Sequence, residues 1–270
     1  MATQSTVRID GRVAACAVGP AITDKGLSWS ALRRVLSSPL PFAAGVLAII
    51  TAFLGLDHFA ALPEQLVIGA ATWAALLAAC APLGSEARAR VALVVIVATC
   101  AEILGSIIIG AYEYRLSNLP AFVPPGHGLV YLAGLAISRS GAVRRHTKAF
   151  LGVVMALVAA WGLAGLTLLG RADVLGALCA ALLIYVLVRG RAPTLYAGVF
   201  LMVAFLELYG TAIGAWGWAQ AVPGTPLPVG NPPSGIAGVY VLFDIAAIAF
   251  APRLLAALEA LRRLRPRFAG

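Results

Sequence analysis

The chain has 270 residues, 61% of them apolar and only 11% charged, with a mean hydropathy of +0.93, whereas a soluble domain is about 45–50% apolar and about 25% charged. This balance excludes a sizeable soluble domain and points to a protein solvated by lipid. The formal charge of +9 is spread over several segments instead of one basic patch interleaved with aromatics, which argues against a nucleic-acid partner.

Residues 1–38 read as a cytoplasmic N-terminal tail. The stretch RVAACAVGPAI at 12–22 has a basic flank, an apolar run and a cysteine, but Arg12 stands only four residues before Cys16. That leaves no room for a secretory apolar region ahead of the cysteine. A surface helix is expected around WSALRRVL. From there on the apolar runs follow one another, and a bilayer-crossing helix needs about 17–25 such residues. Eight spans are expected, at 39–56, 66–84, 91–111, 121–137, 149–169, 173–189, 194–214 and 235–252. The fourth and eighth begin beside Pro-rich stretches, so their outer ends are read as re-entrant or broken segments. The fold class is therefore an all-α polytopic transmembrane helix bundle. Its first four-span unit is 39–137 and its second 149–252, with a basic linker at 138–148 and a basic tail at 253–270.

Positively charged loops stay in the cytoplasm. Of the 20 Lys and Arg residues, all but Arg115 and Arg171 fall on one side of this topology. Both termini and the 138–148 loop are accordingly expected in the cytoplasm, and the protein in the inner (plasma) membrane. Cys80, Cys100 and Cys179 fall within spans and no C-x-x-C pair occurs, so neither a disulfide framework nor a metal site is expected.

Two stretches repeat. EILGSIIIGAYEY, from Glu102 to Tyr114, aligns with ELYGTAIGAWGW, from Glu207 to Trp218, the second copy being one residue shorter. Glu102, Gly105, Ser106, Gly110, Tyr112 and Tyr114 match Glu207, Gly210, Thr211, Gly214, Trp216 and Trp218. Each copy leads into a Pro-rich segment and a further span. Because the matching spans run in the same direction, the repeat is expected to be parallel, with its halves related by an axis along the membrane normal.

The spacing explains the glutamates. Positions i, i+3 and i+4 share a helix face, so each carboxyl lies over small residues, which let another helix approach closely. The glutamates are expected to face protein, somewhat past the bilayer midplane. An acid at that depth costs about 2.5–3.5 kcal/mol and ordinarily marks a site or a buried partner. A carboxylic acid that keeps its proton there can donate it, which makes Glu102 and Glu207 candidates for acid–base chemistry. The plainer reading, a hydrogen bond tying one helix to the next, stays open for both.

Three further sets of residues join the candidates. His127, in PPGHG, either shuttles protons or caps the fourth span. Asp244, in the eighth span only, is expected near Glu207 as a partner base or else makes a polar contact within the bundle. Tyr112, Tyr114, Trp216 and Trp218 either anchor the membrane interface or line a pocket whose π faces attract positive charge. Asn231 and Ser234 complete a substrate-binding set, and Glu113, Arg115 and Asn118 are expected on the polar rim of an outer vestibule. Asp57 and His58 read as ordinary interface residues.

The run EILGSIIIGAYEY with its following Pro-rich turn resembles the E-x-x-G…G-x-Y-x-Y segment of the CruF-type membrane carotenoid hydratases, over some thirty residues of the first copy and fewer of the second. The resemblance implies acid-catalysed addition of water to a terminal isoprenoid double bond, with no cofactor. The first reading is thus an enzyme acting on a membrane-embedded, isoprenoid lipid by proton transfer. A proton-coupled transporter or lipid flippase, whose halves rock about the pseudo-two-fold axis, is the second. A non-catalytic assembly partner that docks a protein on the outer Pro-rich loops is the third. The sequence carries no nucleotide-binding loop, H-E-x-x-H or serine elbow.

Overall fold

The computed structural model describes residues 39–264; the N-terminal tail and its expected surface helix lie outside them. The described chain is all-α apart from two three-residue strands. In order it runs α1 (Pro39–Asp57), α2 (Leu62–Cys80), α3 (Ser85–Glu102, continued by a π-helical turn Ile103–Ile109), β1 (Tyr112–Tyr114), α4 (Val123–Arg139), the short α5 (Gly141–Arg145), α6 (Thr147–Thr167), α7 (Val174–Arg189), α8 (Pro193–Ala212), β2 (Trp216–Trp218) and α9 (Ala237–Leu264). Six of these helices, α1, α2, α3 with its π turn, α6, α8 and α9, are long and apolar enough to cross a membrane. The chain is a multi-pass helix bundle suited to a bilayer.

Helix ends depart from the apolar runs for local reasons. α2 begins at Leu62, ahead of the expected 66, because Pro63 is tolerated in a first turn and the Glu64 carboxylate accepts the Ala61 N–H at 3.0 Å. α3 starts at Ser85, not 91, since its charged first turns still form helix, with Arg90 paired to Glu86 one turn back. α7 is capped by Asp173, just ahead of Val174; the Asp173 side chain accepts the Gly176 N–H at 2.9 Å, the usual N-cap arrangement. α9 runs on past the expected 252, carrying Pro252 inside it, so residues 253–264 of the basic tail are helical.

α4 occupies the centre. It packs on α1, α2, α3 and α8, and all its residues from His127 to Ala136 are buried. The two most extensive helix contacts are α3 with α9 and α4 with α8. At the latter, Gly134 and Gly198 lie backbone to backbone, where a Cβ on either would collide with the opposite chain.

The π turn absorbs the extra residue of the first copy. Glu102 and Gly110 are eight positions apart, Glu207 and Gly214 seven, yet both helices end alike. Gly110 at φ 71° and Gly214 at φ 72° adopt the left-handed conformation that glycine takes without a Cβ penalty. The next residues turn back onto their helices, Ala111 N–H to Gly105 C=O and Ala215 N–H to Gly210 C=O, each 2.8 Å. β1 and β2 then pair antiparallel, with Tyr112 opposite Trp218, Glu113 opposite Gly217 and Tyr114 opposite Trp216. Arg115 N–H to Ala215 C=O at 3.0 Å and Ala219 N–H to Ala111 C=O at 2.9 Å extend the ribbon at its two ends.

Candidate functional site

Alternation along a strand sends Tyr112 and Tyr114 to one face of the ribbon and Glu113 to the other. The facing pairs put Tyr112 against Trp218, ring centroids 4.5 Å apart, and Tyr114 against Trp216 at 6.0 Å. These four rings lie over the two buried glutamates.

Each glutamate takes two donors from the strand that follows its helix and a third contact from another helix. Glu102 Oε2 accepts the Tyr112 hydroxyl at 2.6 Å and the Tyr114 hydroxyl at 2.7 Å, and its Oε1 lies 2.9 Å from His127 Nε2 on α4. Glu207 Oε2 accepts the indole N–H of Trp216 at 3.1 Å and of Trp218 at 3.2 Å. A longer contact, 3.4 Å, brings the Tyr240 hydroxyl from α9 to Glu207 Oε1. Burial, and then the Glu102 carboxyl beside them, push the Tyr112 and Tyr114 hydroxyls up from their ordinary range. Both phenols therefore keep their protons and serve as donors. The small residues next to the glutamates make room for the rings: a Cβ on Gly105 would lie 2.9 Å from Tyr112 Cε1, and one on Gly210 would overlap the Trp216 ring.

Beneath the rings is an apolar cavity of about 240 Å³. Its walls come from α1, α3, α4, α8 and α9, including Phe53, Leu206 and Phe243, with Phe122 from just before α4; Glu102, Glu207, His127, Tyr240 and, from α2, Thr72 are polar groups among them, besides the Tyr112 and Tyr114 hydroxyls. The imidazole of His127 lies over the Tyr240 ring, centroids 5.0 Å apart and planes 31° apart. The cavity thus holds two carboxyl groups of different surroundings. Glu102 has strong hydrogen-bond contacts on both oxygens, whereas Glu207 is held on one oxygen by indoles, which can only donate, and has one long contact on the other.

The opposite face of the ribbon borders an outer vestibule of about 920 Å³, lined among others by Glu113, Arg115, Ser117, Asn118 and Asn231. The four aromatic residues border both spaces. Asn231 Oδ1 accepts the Trp218 backbone N–H at 3.0 Å.

Among the residues singled out in the sequence, Glu102, Glu207, His127, Tyr112, Tyr114, Trp216 and Trp218 come together at the cavity. Asn231 is on the vestibule side. Ser234 is buried but lines neither space; its backbone N–H donates to Asp173 Oδ2 at 2.6 Å. Asp244 also stands apart. It is buried, lines neither space and makes no hydrogen bond to Glu207; its Oδ2 has no hydrogen-bond partner among the described residues. Asp244 lies one helical turn beyond Tyr240, and Tyr240 is the residue of α9 that hydrogen-bonds the Glu207 carboxyl.

Tyr240 is the site residue that sequence reasoning missed; its only signal was a hydroxyl one turn before Asp244 in an apolar span. Asp57 is the other surprise. Read as an interface residue, it is 1% exposed. Its Oδ1 accepts from Gln65 Nε2 at 2.8 Å, and Gln65 Oε1 in turn accepts from Asn118 Nδ2 at 2.7 Å. Arg115 donates to the Ala60 carbonyl at 2.5 Å and to that of Asp57. This network ties the β1 loop to the α1–α2 turn and so holds the ribbon over the cavity. Among the described residues no group of three or more His, Cys, Asp or Glu side chains could hold a metal ion.

No family model matches the chain, and no curated protein or solved structure matches it.

Proposed function

We propose that the cavity protonates a carbon–carbon double bond of a membrane-embedded, isoprenoid lipid and adds water to it. The observation that carries this reading is the pair of unlike carboxyl groups in one apolar, aromatic-roofed cavity. An alkene needs a proton donor in a water-poor space, a surface that tolerates positive charge and a base to take a proton from water.

Glu207 is the acid. Its Oε2 is taken by two N–H donors that cannot accept, so Oε1 is the oxygen that carries the proton. Transfer of that proton to the alkene uses the π pair to form a C–H bond and leaves a cation on the neighbouring carbon. The π faces of Tyr112, Trp218 and Tyr240 stabilise it. Water then attacks through oxygen, and its proton passes to His127, which Glu102 orients. Glu102 suits the orienting role because Tyr112, Tyr114 and His127 hold both its oxygens. Alkene and water give an alcohol, with one proton leaving Glu207 and one reaching the His127–Glu102 pair.

The bundle is read here as eight passes, with the shorter α4 and α7 as the fourth and sixth, and as two parallel four-helix repeats. The like endings at Gly110 and Gly214, the in-register ribbon, and the matched packing of α3 on α9 and α4 on α8 support the repeat. The excess of Lys and Arg at the end away from the ribbon supports cytoplasmic termini.

A second reading, a proton-coupled lipid transporter, draws on one observation: the same four aromatic rings border the cavity and the outer vestibule, as a gate would. Lipid mass spectrometry on membranes with intact protein and with Glu207→Gln separates the two. A hydroxylated lipid that disappears in the variant supports the enzyme. An unchanged lipid inventory with altered distribution between leaflets sinks the enzyme and supports transport, and no change in either sinks both.

A further inference from the structure

Glu207 has a problem of supply that the cavity does not solve. Its contacts are two indole N–H groups, which do not relay protons, and the Tyr240 hydroxyl. The His127 ring lies tilted over that of Tyr240, planes 31° apart, and its Nε2 is engaged by Glu102 Oε1, not by the Tyr240 hydroxyl. Among the described residues no hydrogen bond therefore leads a proton collected at His127 back to Glu207. Tyr240 carries the hydroxyl that, among the described residues, hydrogen-bonds Glu207 and can reload it.

Beyond Tyr240 the bundle holds a second buried polar group. Asp244 is four residues further along α9, on the same helix face one turn away from the ribbon. It is 2% exposed, and its Oδ2 is unpartnered among the described residues, a condition that is costly unless a water molecule fills it. Tyr131 of α4 and Tyr196 of α8 are buried within electrostatic reach of Asp244. Tyr131 in turn interacts with Arg90, and Arg139 is in its reach. Arg90 is near the start of α3 and Arg139 ends α4, both at the end of the bundle opposite the ribbon. Polar side chains, half-buried at Tyr240 and buried at Glu207, Asp244 and Tyr131, thus succeed one another from the cavity toward that far end.

We propose that Asp244 is a proton-relay residue, bridged by buried water, that reloads Glu207 through Tyr240 from the bundle end opposite the ribbon. Asp244 touches no substrate in this arrangement; it acts through Tyr240 and Glu207. The proposal rests on Glu207 holding an exchangeable proton, which the hydratase and transporter readings share. The proton moves as in any relay: Asp244 gives one to Tyr240 oxygen as Tyr240 gives its own to Glu207, and Asp244 recovers one from the far-side water.

The test uses the full-length protein in lipid nanodiscs. The infrared C=O band of the Glu207 carboxylic acid is assigned by its loss in Glu207→Gln, and its shift is followed after transfer to D₂O. Asp244→Asn should slow that exchange by about tenfold or more, and Asp244→Glu should restore it, as expected of a group that moves protons and not merely packs. Tyr131→Phe, which removes a hydroxyl and no charge, should slow it as well and serves if Asp244→Asn does not fold. Wild-type exchange in the folded Asp244→Asn protein, or in Tyr131→Phe where that variant alone folds, overturns the relay and leaves the acid role of Glu207 standing. Absence of any Glu207 acid band in the wild type overturns the relay and the acid role together.

Discussion

Replacing each glutamate by glutamine distinguishes the two acids, because hydrogen-bond arithmetic predicts different costs. In Glu102→Gln the amide oxygen takes the place of Oε2 and keeps both tyrosine hydroxyls, while the NH₂ group faces His127. All three contacts survive only if the imidazole presents an acceptor, and each changes from a bond to a charged group, about 1.5–3 kcal/mol, to a neutral one, about 0.5–1.5 kcal/mol. The three losses come to about 3–4.5 kcal/mol, reduced to about 2–4 kcal/mol by local relaxation. In Glu207→Gln the amide oxygen accepts both indoles and the NH₂ group donates to the Tyr240 oxygen. If Glu207 carries a proton on Oε1, the exchange is neutral for neutral and costs less than about 1 kcal/mol. Thermal unfolding in detergent should then place Glu102→Gln about 5–10 °C below Glu207→Gln. Lipid turnover in membranes at matched protein level should be abolished in both. Equal destabilisation would show that Glu207 is a carboxylate in the folded protein, and wild-type turnover in Glu207→Gln would end the proton-transfer mechanism.

Three further outcomes are expected. Asp173→Asn should lower stability by about 2–3 kcal/mol, read by thermal unfolding, because the buried carboxylate accepts the backbone N–H groups of Gly176, Gly230 and Ser234 and an amide puts its own N–H against one of them. Gly210→Ala should drive a methyl into the Trp216 ring and cost about 1–3 kcal/mol together with activity, whereas Gly45→Ala, with nothing within 4 Å of the new methyl, should be neutral or stabilising by about 0.5–1 kcal/mol; equal effects of the two would refute the packing argument. A cysteine replacing the exposed Ala142, in a protein without its native cysteines, should react with an impermeant maleimide only after the cells are opened, and labelling of intact cells would reverse the orientation proposed here.

By itself the sequence determined immersion in lipid, the helical class and the residues that end two helices in the same way. These are properties of composition and of spacing within one segment: apolar runs must satisfy their backbone internally in a bilayer, and a glutamate over glycine followed by two aromatics is legible because the residues are neighbours on one helix and its turn. Even the single extra residue of the first copy was visible, although its accommodation as a π turn was not. Only the tertiary structure decided which faces meet. The antiparallel register of Tyr112 with Trp218 joins strands about a hundred residues apart, and His127 reaches Glu102 across two helices. Asp57 is buried because Gln65 of α2, itself held by Asn118, and Arg115 of the loop after β1 close over it. Tyr240 rather than Asp244 reaches Glu207, since a displacement of one helical turn, about 5.4 Å, separates a group inside the cavity from one below it. A sequence pattern specifies the face and approximate depth of a side chain, but its partner is set by close packing against other helices, which no single segment encodes.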